Sequence, residues 1–213
     1  MSTIFRLDRA SGALIDVLGR RFDPVERRWD AGNARVAGDS LESVDLLDAV
    51  AWLQRDSGHP LRVPVAVIGP REATDGQLAA ALQVGELLAR CGLVVICGGR
   101  HGVMQAVCEG VARNGGVSIG LLGDSDPALA NPYARVIVAT GIGEARNALI
   151  ARSAFCLIAL GDSLGTLSEV ALGLHFGKAV FGLEGAAQVA GVRQVASATE
   201  AAQSVARLVL RLD

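Results

Sequence analysis

From Val63 onward the chain alternates short, wholly apolar runs with longer segments whose apolar residues recur every three or four positions. VPVAVIG, GLVVICGG, VSIGLLG, ARVIVAT, FCLIALG and KAVFGL have the length of strands, and most end in glycine or a small polar residue. Between them DGQLAAALQVGELLARCG, HGVMQAVCEGVARNGG, GEARNALIARSA and SLGTLSEVALGLHFG carry helical periodicity, and a last helix is expected from about Thr199 to Leu212. Strands that are apolar on every side belong in a sheet covered on both faces, and alternation at this spacing is that of parallel crossover units. The pattern predicts an α/β fold with a doubly wound, mostly parallel sheet of Rossmann-like type.

The first 62 residues follow a different grammar. Thr3–Leu7 and Ala13–Leu18 are short apolar pieces set off by turn signals at Ser11-Gly12 and Ala31-Gly32-Asn33, which predicts one or two hairpins. DSLESVDLLDAVAWLQRDSG then predicts an amphipathic helix that opens at Asp39 or Ser40, carries Leu41, Val44, Leu47 and Leu53, and ends near Gly58-His59-Pro60. The expected organisation is an N-terminal extension, residues 1–62, packed on a ligand-binding domain, residues 63–213, with the boundary at His59–Pro64.

Composition narrows the function classes. The chain is 51% hydrophobic but only 4% aromatic, so its core is built from Val, Leu, Ile and Ala, and its formal net charge of −2 provides no global field for nucleic acid or an anionic membrane. Arg6, Arg9, Arg20, Arg21, Arg27 and Arg28 concentrate in the first 62 residues, and such a run of charges reads as a solvated surface. Cys91, Cys97, Cys108 and Cys156 lie in apolar surroundings without CxxC spacing or a histidine cluster; they read as small buried hydrophobes in a reduced compartment, and no structural metal site is expected. The start, MSTIFRLDRASG, has no apolar signal core and no run reaches the ~18 residues of a bilayer span, so a cytoplasmic protein is expected.

In open parallel sheets, ligands sit where strand carboxyl ends meet helix amino ends. The sequence offers four such junctions, all expected on one edge: Gly69-Pro70-Arg71, Gly98-Gly99-Arg100-His101-Gly102, Thr140-Gly141-Ile142-Gly143-Glu144, and Gly161 to Thr166. From them Gly69, Arg71, Gly98, Gly99, Arg100, Gly102, Gly141, Gly143, Glu144, Gly165 and Thr166 are the candidate ligand- and phosphate-binding residues. CGGRHGVM lets the backbone turn sharply toward an anion while Arg100 supplies charge, so the main anion contact is expected at Gly98–Gly102. The motif matches neither GxGxxG nor GxxxxGK[ST]. Thr166-Leu167-Ser168-Glu169 fits a capping box, which would leave Glu169 a purely local task, although Asp162 and Ser163 are equally placed to cap. His101 and His175 read as helix-end residues without chemistry.

The paired motifs GGRHGVMQAVCEGVARNGG and GDSLGTLSEVALGLHFGKAV, joined by NPYARVIVATGIGEARNALIARSAFCLIAL, resemble the SLOG superfamily over about residues 63–184. That superfamily includes the Lonely Guy (LOG) phosphoribohydrolases and proteins labelled "possible lysine decarboxylases"; within it the chain is most similar to the branch of molybdenum cofactor carrier proteins. The resemblance implies binding of a phosphorylated pterin or nucleotide-like ligand, with molybdenum cofactor as cargo, and a homo-oligomer, dimer or tetramer, in which the helix Ser163–Phe176 with Ala171 and Gly173 is a contact surface. In the family's hydrolases a PGGxGTxxE motif holds the 5′-phosphate while its Glu and an upstream Arg act at the N-glycosidic bond. Gly165, Thr166 and Glu169 match the second half of that motif, and Arg146 stands in the arginine slot, so Glu169 and Arg146 are the catalytic candidates if the protein is a nucleoside 5′-monophosphate hydrolase.

Two departures weigh against hydrolysis. Asn147 follows the arginine where the hydrolases have Lys, and Leu160-Gly161-Asp162-Ser163 replaces Pro-Gly-Gly-x, which puts the Asp162 carboxylate near the expected phosphate. A pyridoxal-phosphate decarboxylase would need a Schiff-base lysine, and the single lysine, Lys178, is expected at a helix-to-strand turn on the opposite edge of the sheet. The decarboxylase label is therefore rejected. A carrier, a hydrolase and a non-catalytic protein with a degenerate pocket all stay open.

Overall fold

The computed structural model describes residues 4–30 and 41–212, which fall into two compact units. One comprises the chain up to Leu61 together with the chain from Gln203; the other is Arg62–Ala202.

The first unit is an antiparallel sheet of β1 (Phe5–Asp8), β2 (Ala13–Ile15), β3 (Arg21–Asp23), β4 (Arg28–Asp30) and β5 (Glu42–Val44), ordered β4-β3-β2-β1-β5, with helix α1 (Leu46–Arg55) packed on β1. Aspartates hold its turns: Asp8 accepts the amides of Ala10 and Ser11, and Asp23 those of Val25 and Glu26. Phe5, Leu7, Leu14, Phe22 and Leu53 are fully buried. Trp29 stacks on Phe5 with ring centroids 5.8 Å apart and donates its indole N–H to the Leu210 carbonyl at 2.6 Å.

The structure corrects the expected helix. Glu42–Val44 is a strand that pairs Val44 with Phe5 of β1 and buries it, and α1 begins only at Leu46. Asp45 is the N-cap, its carboxylate accepting the Asp48 amide at 2.9 Å. The buried helical face is Leu46, Ala49, Val50 and Leu53, and neither Leu41 nor Val44 is on the helix. Strand pairing takes residues that a helical count alone assigns to the helix. The expected turn at Ala31-Gly32-Asn33, the helix start at Asp39 or Ser40, and Thr3 lie outside the described residues.

The second unit contains β6 (Val65–Ile68), α2 (Asp75–Arg90), β7 (Val95–Cys97), α3 (Val103–Arg113), β8 (Ser118–Leu122), β9 (Val136–Ala139), α4 (Arg146–Ser153), β10 (Leu157–Leu160), α5 (Leu164–His175), β11 (Val180–Leu183) and β12 (Val192–Gln194); α6 (Ala198–Val209) follows. The seven strands are ordered β12-β11-β10-β6-β7-β8-β9, every neighbouring pair is parallel, and helices cover both sides. This is the doubly wound Rossmann-like sheet that the alternation predicts. Only β12 escapes the hydrophobic pattern, because VRQ holds a single apolar residue.

Burial follows the strand order. Central β6 and β10 are buried at all four positions, whereas edge strand β9 leaves Val136, Ile137 and Val138 each about 42% exposed, although its sequence is as apolar as theirs. All four cysteines are buried, and Lys178 lies just before β11, on the sheet edge away from the strand carboxyl ends. Gly173 packs inward against Leu157 and Val180, so it belongs to the sheet side of α5 and not to an outer contact face. Among the described residues no helix is long and apolar enough to cross a membrane.

Helices α2 and α3 approach most closely where each presents a glycine: a Cβ at Gly85 would strike the Val107 carbonyl, and one at Gly110 the Leu82 carbonyl. In an unobstructed helix Gly→Ala gains about 1 kcal/mol of propensity. Here the added methyl meets backbone and forces the helices apart, so Gly110→Ala is expected to lose about 1–3 kcal/mol in urea unfolding. A stabilised variant would show that the helices do not pack at this distance.

Candidate functional site

Strand β6 is where the sheet reverses direction. The chain runs outward from β6 through β7 and β8 to β9, then returns to the other side of β6 for β10, β11 and β12. Connections leaving the carboxyl ends of β6 and β10 diverge, which opens a crevice at that edge. A cavity of about 520 Å³ lies there, lined by Gly69–Glu72 after β6, Gly98 after β7, Glu144, Arg146 and Asn147 at the start of α4, and Asp162, Ser163, Gly165, Thr166 and Glu169 on the β10–α5 side. That is the size of an ordinary small-molecule site.

Its inner wall is an ion pair. Arg146, the first residue of α4, is delivered by a single 3₁₀ turn, Gly143–Ala145, and its Nη1 lies 3.5 Å from Oε1 of Glu169 in the second turn of α5. Both side chains are about nine-tenths shielded from water. The guanidinium occupies the space beside Gly98 where any Cβ would fall, so a side chain at position 98 would expel it. Burial pushes the Glu169 carboxyl from its ordinary 4.5 up to about 7, and the Arg146 charge only partly opposes this. A carboxyl that titrates near neutrality beside a fixed cation can donate or accept a proton at the cleft wall. Asn147, also buried, donates from Nδ2 to the Ser168 hydroxyl at 2.9 Å and so ties α4 to α5.

Of the caps that the sequence leaves open, the structure takes Ser163, and the capping box at Thr166–Glu169 is not formed. Ser163 is the N-cap of α5, in extended backbone, and its hydroxyl accepts the Thr166 amide at 3.1 Å. The helix therefore starts one turn earlier than a Thr166 cap requires, and Glu169 is carried onto the inward face. Asp162 lines the cleft directly in front of this helix start, where its charge competes with an incoming anion.

A smaller pocket of about 200 Å³ adjoins the cleft, sharing Arg71, Glu144 and Arg146 with it and adding Arg100, Gly123, Asp124 and Gly143. Arg100 reaches Asp124 Oδ2 from Nη1 at 3.3 Å, while its Nε is buried without a hydrogen-bond partner. The arginine's own carbonyl accepts from Asn131 Nδ2 at 3.2 Å, and the Gly99 carbonyl accepts the Asn131 amide at 2.9 Å, so one buried asparagine fixes the turn.

The expected site residues thus divide. Gly69, Arg71, Gly98, Glu144, Arg146, Gly165, Thr166 and Glu169 line the cleft; Arg100 and Gly143 line the adjoining pocket; Gly99, Gly102 and Gly141 line neither. Gly102, at φ +67°, packs under the carbonyls of Pro70 and Arg71, so its freedom serves the loop crossing. His101 is exposed and faces Gln105, and His175 is exposed beside Phe176. Sequence reasoning missed Asp124, Asn131 and the structural task of Asn147. Asp124 had a signal: it follows Leu122-Gly123 at the end of β8, a fifth strand-end junction on the same edge. Among the described residues no group of His, Cys, Asp and Glu could hold a metal ion.

The chain belongs to the SLOG cluster4 family, whose model matches residues 62–209. An uncharacterised protein of Archaeoglobus fulgidus is 37% identical over 137 residues, covering 64% of this chain and 90% of its own. Among solved structures, the molybdenum cofactor binding protein of Rippkaea orientalis is 31% identical with a TM-score of 0.66, over 70% of this chain and 99% of that one. The molybdenum cofactor carrier protein of Chlamydomonas reinhardtii is 29% identical with a TM-score of 0.62, over 70% and 99%.

The Glu169 shift has a definite sign. A carboxyl whose folded pKa is raised favours the folded state below the unfolded value, and that contribution is lost as pH rises from about 4.5 to about 7. Glu169→Gln cannot ionise, so its stability measured against the natural protein is expected to rise by at most about 3 kcal/mol as the pH goes from 5 to 8, whatever the difference at pH 5. Urea unfolding at both pH values checks this, and a pH-independent difference would contradict the raised ionisation.

Proposed function

We propose that the cleft at the carboxyl ends of β6 and β10 binds a phosphorylated pterin or nucleotide-like ligand, and that the protein carries molybdenum cofactor as its cargo. The observation behind this is the likeness to the molybdenum cofactor binding protein of Rippkaea orientalis, which spans 99% of that chain and 70% of this one. The chemistry of the walls agrees. Arginines from three different segments, Arg71, Arg100 and Arg146, suit a phosphoryl group, and the apolar lining from Ile68 and Met104 suits a flat ring system. Gly98 and the turn that follows it are the proposed anion side of the ligand. A homo-oligomer is part of the same proposal: edge strand β9 offers unpaired backbone groups flanked by exposed valines and isoleucine, an arrangement that pairing with a second copy would cover.

A second reading, hydrolysis of the N-glycosidic bond of a nucleoside 5′-monophosphate, is favoured by one feature, the Glu169 carboxyl held near neutrality against Arg146. In that role Glu169 would take a proton from the attacking water while Arg146 fixes its orientation. Asp162 at the start of α5 and Asn147 behind Arg146 count against it.

Native mass spectrometry of the protein purified from a host that makes molybdenum cofactor is expected to show a retained small ligand, and chromatography of the released material is expected to identify a pterin. If the protein is instead empty and frees adenine from AMP, with release abolished in Glu169→Gln, the hydrolase reading replaces the carrier one. An empty protein without adenine release would reject both.

A further inference from the structure

We propose, resting on the ligand-binding function above, that the small pocket between Arg71, Arg100 and Arg146 is the seat of the ligand's phosphoryl group, and that Asp124 is a built-in competitor that holds Arg100 until the anion arrives. The helix start at α5 is poorly suited to that task. Its Thr166 amide is already taken by Ser163, and Asp162 faces the same space. The neighbouring pocket has the opposite character, with one arginine from the β6–α2 loop, one from the β7–α3 turn and one from the start of α4 converging on about 200 Å³.

The state of Arg100 carries the argument. Its Nε is buried and makes no hydrogen bond, although buried donors are otherwise almost always satisfied. Its Nη1 meets Asp124 at 3.3 Å, long for a charge-assisted bond, so the carboxylate restrains the guanidinium without saturating it. A tetrahedral dianion of phosphomonoester or diphosphate type that draws the guanidinium off Asp124 and turns it into the pocket can accept from Nε and a terminal nitrogen together, the fork geometry that a guanidinium offers. Two carboxylates face this pocket, Asp124 and Glu144. Three cations around two carboxylates disfavour a metal ion there, and neutralising either carboxylate shifts the balance further toward an anion.

Cargo of this kind must be released as well as held. An internal carboxylate that re-forms its pair with Arg100 lowers affinity in a graded way and gives the leaving anion a replacement. Asp124 therefore sets how tightly the phosphoryl group is kept.

Isothermal titration of the full chain with inorganic pyrophosphate at low ionic strength tests the seat. One equivalent is expected to bind, about tenfold or more weakly in Arg100→Gln, weakly also in Arg71→Gln, and several-fold more tightly in Asp124→Asn. Arg71 is exposed, so its substitution leaves folding intact and keeps the test valid if Arg100→Gln is unstable. Binding unchanged in Arg71→Gln, or weakened in Asp124→Asn, would overturn the proposal. Native mass spectrometry separates its failure from that of the carrier function. A pterin retained by both arginine variants sinks the seat alone, whereas pyrophosphate binding as stated in a protein that retains no pterin sinks the carrier reading alone.

Discussion

An arginine in the first turn of one helix and a glutamate in the second turn of its neighbour face each other at 3.5 Å, with little water at either, and the geometry of the whole cleft depends on that pair. Removing two charges from water is expensive, and their attraction recovers it only when the partners are held in good register. Here the register is imposed by the fold. The crossover that returns from edge strand β9 to β10 lays α4 against α5, Asn147 fastens one helix to the other, and Gly98 provides the space in which the guanidinium lies. Deleting either partner would leave the other buried and uncompensated, typically a loss of about 3–5 kcal/mol. The incomplete recovery is visible in Glu169, which gives up its charge near pH 7 instead of near 4.5.

This constraint explains why glycine recurs at the site for more than one reason. At Gly98 the absent side chain is volume that Arg146 fills; at Gly102 it allows a left-handed turn beneath two carbonyls. The sequence pattern GGRHG is therefore read correctly as a sharp strand-to-helix turn, but its glycines serve packing around the arginines as much as any ligand. The charged residue they bracket, Arg100, is turned toward the β8–β9 side of the sheet, where Asp124 meets it.

How far the chain could be read in advance follows from the range of the interactions involved. Alternating apolar runs and helical periods are local, and they identified the doubly wound parallel sheet and the edge on which the turns gather, whereas the reversal at β6 is a matter of strand order that only the fold shows. The choice between cap and buried charge at Thr166–Glu169 is not local. Ser163 in extended backbone wins the amide of Thr166, and only the arrival of Arg146 from another helix gives Glu169 a reason to be inside. The same limit applies to Glu42–Val44, where pairing with Phe5 overrides a helical period, and to β9, whose VIVA is as apolar as the central strands but lies at an edge.

Relatives and site chemistry meet at position 162. A turn with glycine there would present an unobstructed helix start to a phosphate, and its dipole would favour the anion by roughly 0.3–1 kcal/mol. A carboxylate reverses that preference. An anion turned away by Asp162 would have to be met elsewhere, and among the described residues a concentration of cations along the cleft is the trio Arg71, Arg100 and Arg146 around the adjoining pocket. Gly69, Ile68 and Met104 line the same cleft as Glu169, and a carboxyl that titrates near neutrality can donate a hydrogen bond as readily as it can act as a base, so the buried pair does not by itself imply bond cleavage.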